Sequence, residues 1–151
     1  MIKFISEILG LPEASIQFIG VLTTLLISLV GWSWCNYHKA SSVFRDTVYN
    51  KLEGIYPTTE SYLSTAEKDQ ITQASINPIN TAGAKFRHDL PSLCHRSFNK
   101  ALNQYCETAR KIYWDKDVAF KMFKKSMAKP GELGPGDQLR AAVKKLLSFA
   151  K

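Results

Sequence analysis

Between Glu13 and Lys39 the sequence has no Asp, Glu, Lys or Arg. A helix crosses a hydrocarbon core about 30 Å thick with about 20 mostly apolar residues, at about 1.5 Å each. Ile16 to Trp34 meets that length. A charge-free run of this length is uncommon in the buried helix of a soluble domain. The run also lacks the marks of a cleaved signal peptide, which has a basic front end and a small-x-small site behind it. Here Lys3 is set against Glu7 and Glu13, and the back end is Gly31-Trp32-Ser33-Trp34-Cys35-Asn36-Tyr37. Trp-Ser-Trp before Cys35 is a poor match to the small-residue context of a lipoprotein cleavage site. The segment is therefore expected to stay on the chain as a single membrane anchor.

Other absences narrow the chemistry. There is no internal repeat, no low-complexity tract and no sustained period-two alternation of β-branched residues, so no sheet is expected. Walker A, dinucleotide-fingerprint and HExxH motifs are missing, and the glycines of Gly131 to Gly136 lack a Gly-Lys-Ser/Thr ending. The chain has three histidines and three cysteines. His88-Asp89, Cys94-His95 and Cys106 include metal-ligand types, but their spacing matches no structural zinc pattern. Cys94 and Cys106 in one helix would lie about 18 Å apart, against a disulfide limit near about 7 Å between Cα atoms. The cysteines thus suit a reducing compartment. Cys94 or Cys106 could pair with His95 or His88 as nucleophile and base, but nothing marks an oxyanion site or an activated thiol. No catalytic residue, metal or cofactor is expected. Asp115 and Asp117 are expected to serve a helix start and solvation.

What is present has helical period throughout. The expectation is an all-α chain, a single N-terminal transmembrane helix followed by a small cytoplasmic helical bundle. Residues 1–14 form a flank in which Ile2, Ile5, Ile8 and Leu9 could make an interfacial helix before Pro12. Residues 15–37 are the span. Within it Gln17, Gly20, Thr24, Ser28 and Gly31 form a small or weakly polar stripe. That stripe suits close packing in lipid, either with a second copy or with a partner membrane protein. The alternative is that Thr and Ser bond their own helix carbonyls. Trp32, Trp34 and Tyr37 form an aromatic anchor at one interface.

Residues 38–129 are expected to be the helical domain. Val43, Phe44, Val48, Leu52 and Ile55 repeat at helical spacing until Gly54 and Pro57. No Gly or Pro interrupts Ala40 to Glu53, so the spanning helix could run on into this one. Ser64-Thr65-Ala66-Glu67 matches a capping box. The helix behind it, with Ile71 and Ala74, is expected to end near Ser75. Asn77-Pro78 then looks like a new start, with Ile79, Ala82, Phe86 and Leu90 buried and Gly83 allowing close approach. From Ser92 to Trp114 a long helix centres its apolar face on His95, Leu102, Ala109 and Tyr113. Cys94, Phe98, Ala101, Tyr105, Cys106 and Ile112 flank that face. Asp115 to Met127 is basic, with Val118, Phe120, Met122 and Phe123 as its apolar residues. Residues 130–136 read as a Gly/Pro loop. Residues 137–151 read as a basic amphipathic helix capped by Asp137, with Leu139, Val143, Leu146, Leu147 and Ala150 on one face.

Charge sets the orientation and the partner classes. Lys39, Arg45 and Lys51 follow the span and only Lys3 precedes it, which predicts the N-terminus outside and the domain in the cytoplasm. Small size and simplicity suggest a bacterial-type inner (plasma) membrane. The excess charge lies in residues 121–151, net +6 of the chain's +7. Lys121, Lys124, Lys125, Lys129, Arg140, Lys144 and Lys145 are the candidate lipid-contacting residues, since each cation near an anionic leaflet contributes about 1 kcal/mol. The last helix is expected to dock reversibly on such a surface, against the alternative that its apolar face closes the core. Aromatics among lysines also occur in single-strand nucleic-acid binders, a weaker fit beside a membrane. The expected function is a membrane-anchored binding or regulatory module without enzymatic activity. One rival is a membrane-perturbing effector of a stress or phage-defence type, working as an oligomer. The other is a small hydrolase using Cys and His.

Overall fold

The computed structural model describes residues 13–57, 62–127 and 133–150. The interfacial helix expected over Met1 to Leu11 lies outside them, as do Lys129 and residues 130–132 of the expected Gly/Pro loop. The described residues are all-helical, with five helices and no strand. These are α1 (Glu13–Lys51), α2 (Thr65–Arg87), α3 (Ser92–Lys111), α4 (Trp114–Met127) and α5 (Pro135–Leu147). The chain divides into two units, residues 1–37 and 38–151, and α1 contributes to both.

In the first unit the helix runs on without Pro. Its hydroxyls turn back on its own backbone: Thr24 Oγ1 donates to the Gly20 carbonyl at 2.8 Å and Ser28 Oγ to the Thr24 carbonyl at 2.8 Å. The hydroxyl protons are thereby satisfied inside the helix.

The second unit is a bundle in which α3 is central, packed on α5 and on α2, with α4 against α5 and α2. The end of α1 adds Phe44 and Val48 to the core, and Leu52 in the turn that follows adds a third side chain, all fully buried. These positions recur at four residues, which places them on one helix face. Val43, expected on that face, is 66% exposed, and Ser41 is buried in its stead. Gly54 then turns the chain with φ 79°, a conformation that costs glycine nothing.

The capping box forms as expected. The Ser64 backbone N–H donates to Glu67 Oε2 at 2.8 Å, and the Glu67 N–H donates to Ser64 Oγ at 3.3 Å. The hydrogen bonds from Ser64 hold the Glu67 carboxyl below its ordinary value. The helix it starts does not end near Ser75. It continues through Pro78 to Arg87 as one element. Thr72, Ser75, Ile76, Ile79, Gly83 and Phe86 are buried on both sides of the proline. Pro78 has no N–H for the Ala74 carbonyl. Ala74 lies on the exposed side, so packing of the opposite face outweighs the local cost.

Two boundaries around α3 also differ from expectation. The helix ends at Lys111, and Ile112 caps it in extended conformation. This break turns Tyr113 outward and Trp114 inward, 58% and 2% exposed. Helix α5 begins at Pro135, two residues before Asp137, with Gly134 as N-cap. Its apolar face is in the core: Leu139, Val143 and Leu146 are fully buried and Ala150 nearly so. The arrangement is the alternative one, in which this face packs in the core against α3.

Leu102 of α3 packs against Gly83 of α2. A Cβ added at Gly83 would stand 2.9 Å from Leu102 Cδ2. Leu102→Asp would bury an unpaired charge costing several kcal/mol, against a total stability of about 5–15 kcal/mol for a small domain. The full chain carrying it is expected to lose protease resistance in residues 38–151. Lys100→Asp, on the exposed side of the same helix, is expected to stay within about 0.5 kcal/mol of the parent. Equal resistance of the two variants would refute the register.

Candidate functional site

The first candidate surface is the apolar half of α1. Phe18, Ile19, Val21, Leu22, Leu25 and Leu26 are all about half exposed or more, and so are Ile27, Leu29, Val30, Trp32 and Trp34. None of the most apolar window of this helix is buried. A buried core helix passes the same test of length and composition but has its side chains covered. Leaving a Leu or Phe in water forgoes about 1.5–3 kcal/mol relative to full burial. A continuous exposed apolar patch of this kind is a candidate interaction surface. The helix is long and apolar enough to span a membrane, and its backbone polar groups are satisfied within it.

The expected packing residues sit on this surface. Nothing lies within 4 Å of a Cβ added at Gly20 or Gly31. Thr24 and Ser28 have their hydroxyl protons committed to carbonyls one turn back. Trp34 and Tyr37, two of the expected anchors, lie 6.4 Å apart between ring centroids.

The candidate nucleophiles and ligands are dispersed. His88 is exposed, on the turn after α2. His95 is half-buried, and its Nε2 lies 2.9 Å from the Leu90 carbonyl, so the imidazole fastens the start of α3 to the preceding turn. Cys94 is half-buried and Cys106 buried. Burial pushes the Cys106 thiol up, with Arg110 acting weakly the other way, so the thiolate a nucleophile needs is disfavoured. Among the described residues no three His, Cys, Asp or Glu side chains converge.

The polar groups that do converge join helices. Trp114 Nε1 donates to Thr72 Oγ1 at 3.1 Å, and the Trp114 N–H donates to Asp69 Oδ1 at 3.2 Å. Ser75 Oγ donates to the Thr72 carbonyl and meets the Tyr105 hydroxyl at 2.6 Å. Burial pushes the Tyr105 phenol up to about 12, the Ser75 hydrogen bond acting in the opposite sense. It is therefore a neutral structural group at physiological pH.

Asp117 departs furthest from expectation. It was expected to be solvated, and only 1% of it is exposed. Its Oδ1 accepts the Gly136 N–H at 2.8 Å, and its Oδ2 pairs with Lys121 Nζ at 2.8 Å. Gly136 is in the first turn of α5, where N–H groups lack partners within the helix. Asp117 therefore supplies, from another helix, the side-chain cap that Gly134 at the N-cap position lacks. A Cβ at Gly136 would stand 2.9 Å from this carboxylate and from Trp114 Cζ3. A side chain at this position would displace the capping carboxylate or the indole. Asp115 and Asp117 do stand in the first turn of α4, but nothing in their spacing distinguishes the buried one. Its partner is nineteen residues away.

Of the candidate lipid-contacting cations, Lys121 is committed to Asp117 and Arg140 to Asp137 at 3.1 Å. Lys145 Nζ donates to Gln104 Oε1 at 3.1 Å, and Lys144 is exposed. The side chains of Lys124 and Lys125 lie outside the described residues. Removing the cap tests the α4–α5 junction. Asp117→Ala leaves a buried N–H and an unpaired Lys121, and a hydrogen bond to a charged group contributes about 1.5–3 kcal/mol. A loss of that order is expected in urea unfolding of the full chain in mild detergent. Asp115→Ala, at an exposed position, is expected to change stability by less than about 0.5 kcal/mol.

Comparison with protein-family models, with curated proteins and with solved structures finds no match to this chain.

Proposed function

We propose that the protein is a single-pass membrane protein whose helical domain acts by binding or regulation and not by catalysis. The observation that carries the anchor is the uncovered apolar surface of α1 from Phe18 to Trp34. Transfer of that surface from water to hydrocarbon is favourable along its whole length, and the helix leaves no backbone group to desolvate unpaired. The flanking charges support an outside N-terminus and a cytoplasmic domain, since Lys39, Arg45 and Lys51 follow the span.

The non-enzymatic reading is supported by what the reactive side chains do. His95 fastens a turn, Cys106 is buried with its thiol raised, and Asp117 caps a helix. Each is explained by the fold it stabilises. A domain of this kind, held at a membrane, acts through its surfaces.

The full chain is expected to remain in the membrane pellet after alkaline carbonate extraction. Its appearance in the soluble fraction would remove the anchor. A compartment-dependent reporter fused after Lys151 is expected to show cytoplasmic activity. Activity on the far side would reverse the topology while leaving the anchor intact.

A further inference from the structure

Helix α4 is turned with its apolar side outward. Trp114 and Asp117 are buried, and Phe120 is half-buried. Met122 is 75% exposed and Phe123 60%, and Val118 is also exposed. At about 100° per residue, Val118, Met122, Ala119 and Phe123 occupy one arc of roughly 140°. By position, Lys121 and Lys125 border that arc on one edge and Lys116 on the other. Asp115 shares the same side at the first turn, so the apolar part begins at Val118.

From this disposition we infer that α4 is an interfacial element. Its face of Val118, Met122 and Phe123 enters the headgroup boundary of an anionic bilayer, drawn there by the net positive charge of the helix. The inference rests on the anchor reading above and adds a second, reversible membrane contact to it. Charge selects the occupant. Helix α4 carries four lysines against two aspartates. One aspartate, Asp117, is already buried and paired with Lys121, and on α5 Asp137 is paired with Arg140. Each pair cancels one cation against one acid, so α4 keeps a net charge of +2, four lysines less two aspartates. Exposed apolar side chains bordered by lysines are the composition of helices that lie in a membrane interface, and anionic headgroups attract such segments within a Debye length. Helix α5, similar in composition, cannot serve, because its apolar face is in the core.

The test uses the full chain reconstituted in bilayers of phosphatidylcholine alone, or of equal parts phosphatidylcholine and phosphatidylglycerol. A nitroxide is placed at Met122→Cys, at Glu107→Cys as an exposed control and at Leu22→Cys in the anchor. Each is made in a background of Cys35→Ser, Cys94→Ala and Cys106→Ala. In anionic bilayers the label at 122 is expected to gain access to oxygen and lose access to a polar nickel relaxer relative to the label at 107. That difference is expected to vanish in phosphatidylcholine. Identical accessibility at 122 and 107 in anionic bilayers, with the label at 22 immersed, overturns the inference and leaves the anchor standing. An aqueous label at 22 overturns both. Spin–spin broadening at 122 that fades on dilution with unlabelled protein makes a second copy the occupant and also overturns it. In the unaltered chain, hydrogen exchange over residues 114–127 is expected to slow in anionic relative to neutral bilayers. Equal rates count against the contact whether or not the cysteine-free background folds.

Discussion

Phe98 is fully buried, and the bundle is assembled on it. Its ring lies 5.8 Å from Phe44 on α1, 5.5 Å from Phe86 on α2 and 5.6 Å from Phe149 beyond α5, each edge to face. Phe44 and Phe86 stack at 5.0 Å. Four segments remote in sequence thus meet in one aromatic cluster. Away from their ends helices have no free backbone hydrogen bonds to offer one another, so side-chain packing must hold them there. Aromatic pairs in these geometries add about 0.5–1.5 kcal/mol beyond the area they bury. Close approach of α2 and α3 then follows from Gly83, where Leu102 occupies the space a side chain would take.

A second set of contacts in the bundle is polar. Trp114 reaches Thr72 and Asp69 on α2, and Asp117 caps α5. These groups are buried and must be satisfied, which makes their geometry demanding. The consequence reaches the surface. With Asp117 pointing in, Val118, Met122 and Phe123 each stand about 100° or more round the helix from it and lie on the outer side. The contact that closes the domain therefore also creates its apolar, cationic face.

Several features were legible in the sequence because they are local. The capping box needs only Ser64 and Glu67, three residues apart. The buried positions Phe44, Val48 and Leu52 follow from spacing, and so do Phe98, Leu102, Tyr105 and Ala109 on α3. The Gly83 contact was legible as a permissive site, though not its partner Leu102. Other features were hidden because their causes are distant. Pro78 reads as a helix start, and only the buried residues on either side show that it is interior. Tyr113 fits the α3 face by period, but the chain breaks at Ile112 to bring Trp114 to Thr72. Asp117 looks like its neighbour Asp115, and only Gly136 tells them apart.

The sequence by itself determined the charge-free run of α1 and its fitness to span a membrane, since length, charge and hydropathy belong to the segment alone. It also determined that the rest is helical, because the period of apolar residues is written residue by residue. Only the tertiary structure decided which amphipathic faces are covered. Helices α4 and α5 both mix apolar residues with lysines, yet α5 buries its apolar face on α3 and α4 turns much of its own outward. The hydrophobic effect is non-directional and favours burying either. What selects between them is the space left beside α3 and the polar partners that Trp114 and Asp117 must reach.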